Sequence, residues 1–150
     1  MLATNTAARG FAPLLEPMDD FEGDSPEEVV ASALIIEDDD IAARLLEHFL
    51  WDIGYRSIER AGTRAEALKC AYLRPPDLVV ADVWLGGDGP EGIRTAYTIN
   101  TIEYSAVVFV TATPEVLAGD RRAVVLDKAR LTRDTLLVAI NRAKRHWPIN

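Results

Sequence analysis

The sequence has one cysteine, Cys70, and two histidines, His48 and His146. A lone thiol forms no intramolecular disulfide and supports no cysteine-based metal centre. Cys70 lies inside a helical pattern from Glu66 to Leu73, with no His, Asn or Asp placed as in a cysteine-enzyme signature, so it reads as a small packed residue. His48 reads as a surface residue and His146 as a stabiliser of a helix end; neither has ligand spacing. No apolar run approaches the ~20 residues of a membrane span. The first residues lack a basic segment followed by an apolar one, so no secretion signal is expected and the expected compartment is cytoplasmic. There is no excess of positive charge either: 16 Lys and Arg stand against 24 Asp and Glu, a net charge of −8. That balance argues against non-specific nucleic-acid binding. No helix pair of a DNA-binding kind is visible, and no internal repeat.

What is present suits one domain with a proper core: 150 residues, 49% of them hydrophobic. The charge is uneven. Residues 1–31 set Arg9 against seven acids, whereas residues 121–150 set eight bases against two acids. The first segment has no sustained period and contains Gly10, Pro13, Pro17, Gly23 and Pro26, so residues 1–31 read as a flexible acidic arm and residues 32–150 as the folded domain. Arg142, Lys144 and Arg145 read as a solvated helix face, and Trp51 and Trp147 as packing or rim residues.

The folded part alternates strand and helix patterns. Ala33-Leu34-Ile35-Ile36 is a strand ending in Glu37-Asp38-Asp39-Asp40, where Asp39 or Asp40 caps a helix whose apolar residues Ile41, Leu45, Phe49 and Ile53 recur every four positions beside Leu46 and Leu50. Gly54 ends that helix. Tyr55 to Arg60 is a weaker strand, and Thr63-Arg64-Ala65-Glu66 a capping box opening a second helix to Leu73. Leu78-Val79-Val80-Ala81 is an unbroken apolar run, the mark of a strand buried on both faces, and it stops at Asp82. A loop rich in glycine follows, then a helix from Gly92 to Ile102 with Ile93, Ala96, Tyr97 and Asn100 inward. Ala106 to Val110 is a strand ending on Thr111, with a short helix started by Thr113-Pro114 and ended by Gly119. Ala123 to Leu126 is a last strand, followed by Asp127-Lys128, and Thr132 caps the final helix with Leu136, Ile140 and Ala143 on one stripe.

Five strands separated by helices form an α/β fold, a parallel sheet with helices on both faces. All strand ends then gather at one edge, where open α/β sheets bind their ligands. Those ends are Glu37 and Asp38, Asp82, Thr111 and Lys128. Clustered carboxylates repel unless a cation neutralises them; few, hard oxygen ligands suit Mg²⁺. A lysine and a hydroxyl beside them suit a phosphoryl group. Together the set fits phosphoryl transfer to a carboxylate. Asp39 and Asp40 read instead as a charged helix start.

From about Ala33 to Trp147 the chain resembles the receiver domain of two-component response regulators, the CheY-like family. The resemblance rests on Leu34-Ile35-Ile36-Glu37-Asp38-Asp39, on Leu78 to Leu85 around Asp82, on Val108-Phe109-Val110-Thr111-Ala112 and on Leu126-Asp127-Lys128. Phe109 to Glu115 and the loop Trp84-Leu85-Gly86-Gly87-Asp88-Gly89 resemble the receivers of PhyR-type general stress regulators. The resemblance implies a flavodoxin-like (βα)5 fold with strand order 2-1-3-4-5. It implies that Asp82 is the phosphoacceptor, that Glu37, Asp38, Asp82 and the backbone carbonyl of Trp84 hold Mg²⁺, and that Thr111 and Lys128 bind the phosphoryl group. It further implies a non-enzymatic regulator, monomeric or weakly dimeric, and with the sequence ending at Asn150 a single-domain one is expected. Its partners would be a sensor histidine kinase or phosphotransfer protein and an output protein, with neither DNA nor membrane bound directly.

The chain departs from the family pattern at three positions. Ala129 follows the lysine where a proline in a cis bond is usual; a cis bond costs ~2.5–4 kcal/mol without proline, so a trans bond is expected. Val125 stands where an aromatic switch residue is usual. Gly86 replaces a loop proline. These departures bear on switching more than on phosphorylation, and the alternative function is an atypical receiver whose partner binding ignores phosphate. A haloacid-dehalogenase-type phosphatase would need an Asp two residues after Asp82, where Trp84 stands instead. The Trp84 indole is expected over the mouth of the site, shielding a phosphoryl group from water or anchoring a partner.

Overall fold

In the computed structural model residues 31–87 and 89–146 are described; apart from Ala31, the acidic arm lies outside them, as does Trp147. Strand β1 (Ser32–Ile36) leads to helix α1 (Asp40–Ile53), β2 (Ser57–Ala61), α2 (Arg64–Leu73), β3 (Leu78–Ala81), α3 (Glu91–Ile102), β4 (Ala106–Thr111), one 3₁₀ turn (Pro114–Leu117), β5 (Val125–Asp127), a second 3₁₀ turn (Lys128–Arg130) and α4 (Arg133–His146). All neighbouring strands are parallel, in the order β2-β1-β3-β4-β5. The predicted order 2-1-3-4-5 is therefore observed, and the helix predicted after β4 is short enough to be a single 3₁₀ turn.

Strand alternation divides the core in two. Ala33, Ile35, Leu78, Val80, Val108, Val110 and Leu126 face α1 and α4, where Leu46, Leu50, Leu136 and Ile140 cover them. Leu34, Ile36, Val79, Ala81, Val107 and Phe109 face α2 and α3, where Ala67, Ala71, Ala96 and Ile99 cover them. The central strand β3 is buried at every residue, as its unbroken apolar run requires.

The local signals are honoured with small shifts. Asp39 caps α1 by accepting from the Ile41 and Ala42 amides at 2.9 and 3.4 Å. Thr63 Oγ1 accepts from the Glu66 amide at 3.1 Å, while the Glu66 carboxylate reaches back one residue further than expected, to the Gly62 amide at 2.8 Å. Strand β2 starts two residues later than predicted, because the Tyr55 amide is still bonded to the Leu50 carbonyl of α1. Ala123 belongs to a turn closed on the Asp120 carbonyl, so β5 also starts later.

The α1 stripe needs a correction. Ile41 is 79% exposed and Leu45 43%, whereas Ala43, Leu46 and Leu50 form the buried line. The apolar residues of α1 span more of the helix circumference than the sheet covers. Sequence periodicity finds such a helix but does not fix which edge of a broad stripe is buried.

The loop after β3 is held by a close backbone approach. The Gly92 amide donates to the Val83 carbonyl at 2.9 Å, and a Cβ at Gly92 would overlap the Asp82 carbonyl. Only glycine lets α3 start this near the strand end. Gly92→Ala is expected to lower stability by ~1–3 kcal/mol or more, the usual cost of forcing atoms into a packed site. Urea unfolding measures this, and unchanged stability would show that the loop relaxes freely.

Candidate phosphoryl-transfer site

Three strand ends deliver the charged groups. Glu37 follows β1, Asp82 follows β3, and Lys128 follows β5. Asp38 stands beside Glu37 but is exposed. Ligand oxygens of Glu37, Asp38 and Asp82 lie within 4.8 Å of one another. Lys128 Nζ donates to Asp82 Oδ2 at 3.0 Å and lies 2.8 Å from Glu37 Oε1. The second contact is a close ion pair to a buried carboxylate, and Glu37 Oε1 meets no hydrogen-bond donor besides this ammonium. Glu37 Oε2 accepts from the Asp39 amide at 3.2 Å.

Electrostatics follow from this crowding. Burial pushes the Glu37 carboxyl above its ordinary value; Lys128 opposes the shift and the charge of Asp82 adds to it. Burial also works to lower the Lys128 ammonium, but hydrogen bonding and charge from Glu37 and Asp82 outweigh it and hold that pKa above its ordinary value.

The donor set fits a hard divalent cation. It offers carboxylate oxygens from three residues within 4.8 Å of one another, against which Lys128 sets a single positive charge. Three clustered carboxylates beside one ammonium leave a deficit of positive charge, which a hard divalent cation would fill.

Thr111 ends β4 and is fully buried. Its Oγ1 accepts from the Thr113 amide at 3.1 Å and shares a hydrogen bond with Thr113 Oγ1 at 3.2 Å. Trp84, 37% exposed, donates from Nε1 to Thr113 Oγ1 at 2.7 Å, so its indole leans across to the β4 loop. The Trp84 amide lies at the outer limit of a bond to Asp82 Oδ1, at 3.5 Å. Sequence reasoning gave Thr113 only a helix-starting role. In the structure its side chain makes no cap bond and serves the site instead. No sequence pattern signalled it, because the chain bends at Ala112 just past the end of β4.

The three atypical positions also find places. Gly86 has φ +78°, a value closed to proline, and a Cβ there would stand 3.1 Å from Asp38 Oδ2. Val125 is half-buried opposite Phe109 in the β4–β5 register. Ala129 sits in the 3₁₀ turn, its amide bonded to Asp127 Oδ1 at 2.9 Å, and no peptide bond among the described residues is cis.

The sequence model of the response regulator receiver domain matches residues 33–124. The chain belongs to the response regulator receiver domain family. Among curated proteins, this receiver is 35% identical over 96 residues to the phyllosphere-induced regulator PhyR of Methylorubrum extorquens, covering 63% of this chain and 36% of that protein. Among solved structures it resembles the receiver domain of Erythrobacter litoralis PhyR, with a TM-score of 0.71 and 30% identity over 81% of this chain and 95% of that one. It also resembles Brucella abortus PhyR, with a TM-score of 0.68 and 30% identity over 77% of this chain and 48% of that one. The receiver thus spans about a third of the curated relative's length, as the 36% coverage states.

The Lys128 bridge is open to a direct test. Lys128→Met leaves two buried carboxylates facing each other and is expected to cost ~1–3 kcal/mol, less than for a fully buried pair because Lys128 is partly in solvent. Lys128→Met with Glu37→Gln should lose less than Lys128→Met alone. Additive losses in a double-mutant cycle would show that the bridge does not couple the two strand ends.

Proposed function

We propose that this receiver accepts a phosphoryl group on Asp82 and thereby controls its binding to a partner protein. The observation that carries the reading is the Lys128 ammonium set between Glu37 and Asp82, with Asp38 and Thr111 at the same sheet edge. A bystander charge cluster would not need a buried carboxylate, a lysine reaching from β5, and a buried threonine ending the strand between. The same set argues against a module blind to phosphate.

One Asp82 carboxylate oxygen attacks the phosphorus of a phosphohistidine or acyl phosphate donor. The new O–P bond forms as the donor's P–N or P–O bond breaks, and the leaving group keeps the electron pair. Asp82 becomes an acyl phosphate. Lys128 already touches Asp82 and stays in reach of the phosphoryl oxygens that replace part of its carboxylate charge. The Thr111 hydroxyl donates to one of those oxygens. Glu37, Asp38, Asp82 and the Trp84 carbonyl would hold Mg²⁺, which when bound supplies positive charge to the carboxylates and the phosphoryl oxygens. The upstream partner is a sensor histidine kinase or a phosphotransfer protein, and the downstream one a protein rather than DNA. No helix among the described residues is long and apolar enough to cross a membrane.

Incubation with acetyl phosphate and Mg²⁺ is expected to add one phosphoryl mass, read by intact mass spectrometry. Asp82→Asn should remove it, and Lys128→Met or Asp38→Asn should reduce it at least tenfold, equivalent to ~1.4 kcal/mol of barrier. No mass gain under conditions that label another receiver would refute the reading.

A further inference from the structure

Position 125 carries no aromatic side chain, yet an indole is tied to the same sheet edge from the other side. Trp84 Nε1, Thr113 Oγ1 and Thr111 Oγ1 form a line of hydrogen bonds at 2.7 and 3.2 Å. We propose that Trp84 and Thr113 are positioning residues that orient the Thr111 hydroxyl as a donor toward a phosphoryl group on Asp82, and that this chain of donors couples the phosphoryl group to the Trp84 indole. The proposal rests on Asp82 phosphorylation.

The direction of the chain follows from donor chemistry. An indole N–H donates and never accepts, so Thr113 Oγ1 must accept from Trp84. The Thr113 hydroxyl proton is then free to go to Thr111. Thr111 Oγ1 also accepts from the Thr113 amide at 3.1 Å. With both its lone pairs filled by Thr113, Thr111 has only its proton left to give. Thr111 is fully buried, so that proton has no bulk water to meet. A phosphoryl group is an acceptor only. A line that starts at an obligatory donor and ends at an obligatory acceptor has one consistent proton order, and each bond in it polarises the next.

Without a phosphoryl group a second order is open. Thr111 then donates to Thr113, and the half-exposed Thr113 turns its own proton to water. The 3.2 Å contact allows either hydroxyl to be the donor. A phosphoryl group on Asp82 selects the first order. The selection strengthens the demand on Thr113 as an acceptor, and the indole N–H registers it. Thr113 also leaves the 3₁₀ turn at Pro114 without a side-chain cap, so its hydroxyl is committed to the chain rather than to the turn.

The test uses the whole chain labelled with ¹⁵N, Mg²⁺ and beryllofluoride, a non-covalent stand-in for the phosphoryl group. Occupancy of the Asp82 site is read independently from bound ¹⁹F resonances. The Trp84 indole resonance is assigned by its loss in Trp84→Phe. On beryllofluoride binding it is expected to move downfield from its position with Mg²⁺ alone, in the wild type and in Thr113→Ser. Thr113→Val should bind the mimic roughly five- to tenfold more weakly, the usual effect of losing one hydrogen bond between neutral groups, and its indole should stay where it is. Bound fluoride with an unmoved wild-type indole, or an indole in Thr113→Val that still moves as in the wild type, would overturn the coupling while leaving phosphorylation intact. Absence of bound fluoride in the wild type would overturn phosphorylation at Asp82 and the coupling with it.

Discussion

One ammonium group reconciles the fold with its own strand ends. Parallel strands send their last residues to one edge, and here β1 and β3, which are neighbours, send Glu37 and Asp82. Two buried carboxylates side by side oppose folding. Lys128 crosses from β5, past the end of β4, and meets both at 2.8 and 3.0 Å. The side chain that ends β4 is the small, buried Thr111, which suits a strand end that a lysine must pass. The sheet order, the strand lengths and the short turn after β5 all serve that reach.

The neutralisation is incomplete, and that is where chemistry enters. Lys128 brings one positive charge to a site with three carboxylates, Asp38 among them. Glu37 is buried and shares that one ammonium with Asp82, and burial holds its pKa up. A fold selected only for stability would not keep a buried carboxylate in that condition; local conflicts of this kind mark sites of function. The opposite edge of the sheet is built on neutral and singly charged polar pairs instead. Ser32 and Asp77 pair at the opposite ends of β1 and β3 at 2.9 to 3.2 Å, and Asn100 and Ser105 bond buried carbonyls at 2.7 Å.

Much of this was legible in the sequence because each element carried its own punctuation. The unbroken run Leu78–Ala81 could only be an inner strand, and Asp39 and Thr63 marked helix starts that the structure reproduces. Parallel topology then gathered Glu37, Asp38, Asp82 and Lys128 with no further information. The exposed flank of α1 was not legible, since Ile41 and Leu45 match the period as well as Leu46 and Leu50 do. Nor were the long-range contacts that loops make. The Trp84–Thr113 bond spans 29 residues, and the Tyr97–Asp120 bond 23. Periodicity carries nothing about such pairs, because each depends on where a loop ends up.

The absence of an aromatic residue at Val125 acquires a physical meaning from those loop contacts. Phe109, which pairs with Val125 in the sheet, is met edge-on by Tyr97 of α3, with ring centroids 5.7 Å apart. The aromatic bulk on this face therefore comes from a helix rather than from β5. Tyr97 is not free to swing. Its hydroxyl donates to Asp120 at 2.6 Å and the Arg122 guanidinium lies 4.5 Å from its ring centre. A ring held by its edge, its face and its hydroxyl must break those contacts to change rotamer. A response that runs through groups with two satisfactory hydrogen-bonding arrangements requires no such break. The hydroxyls of Thr111 and Thr113 meet that condition, since each both donates and accepts, whereas the aliphatic side chain of Val125 does neither.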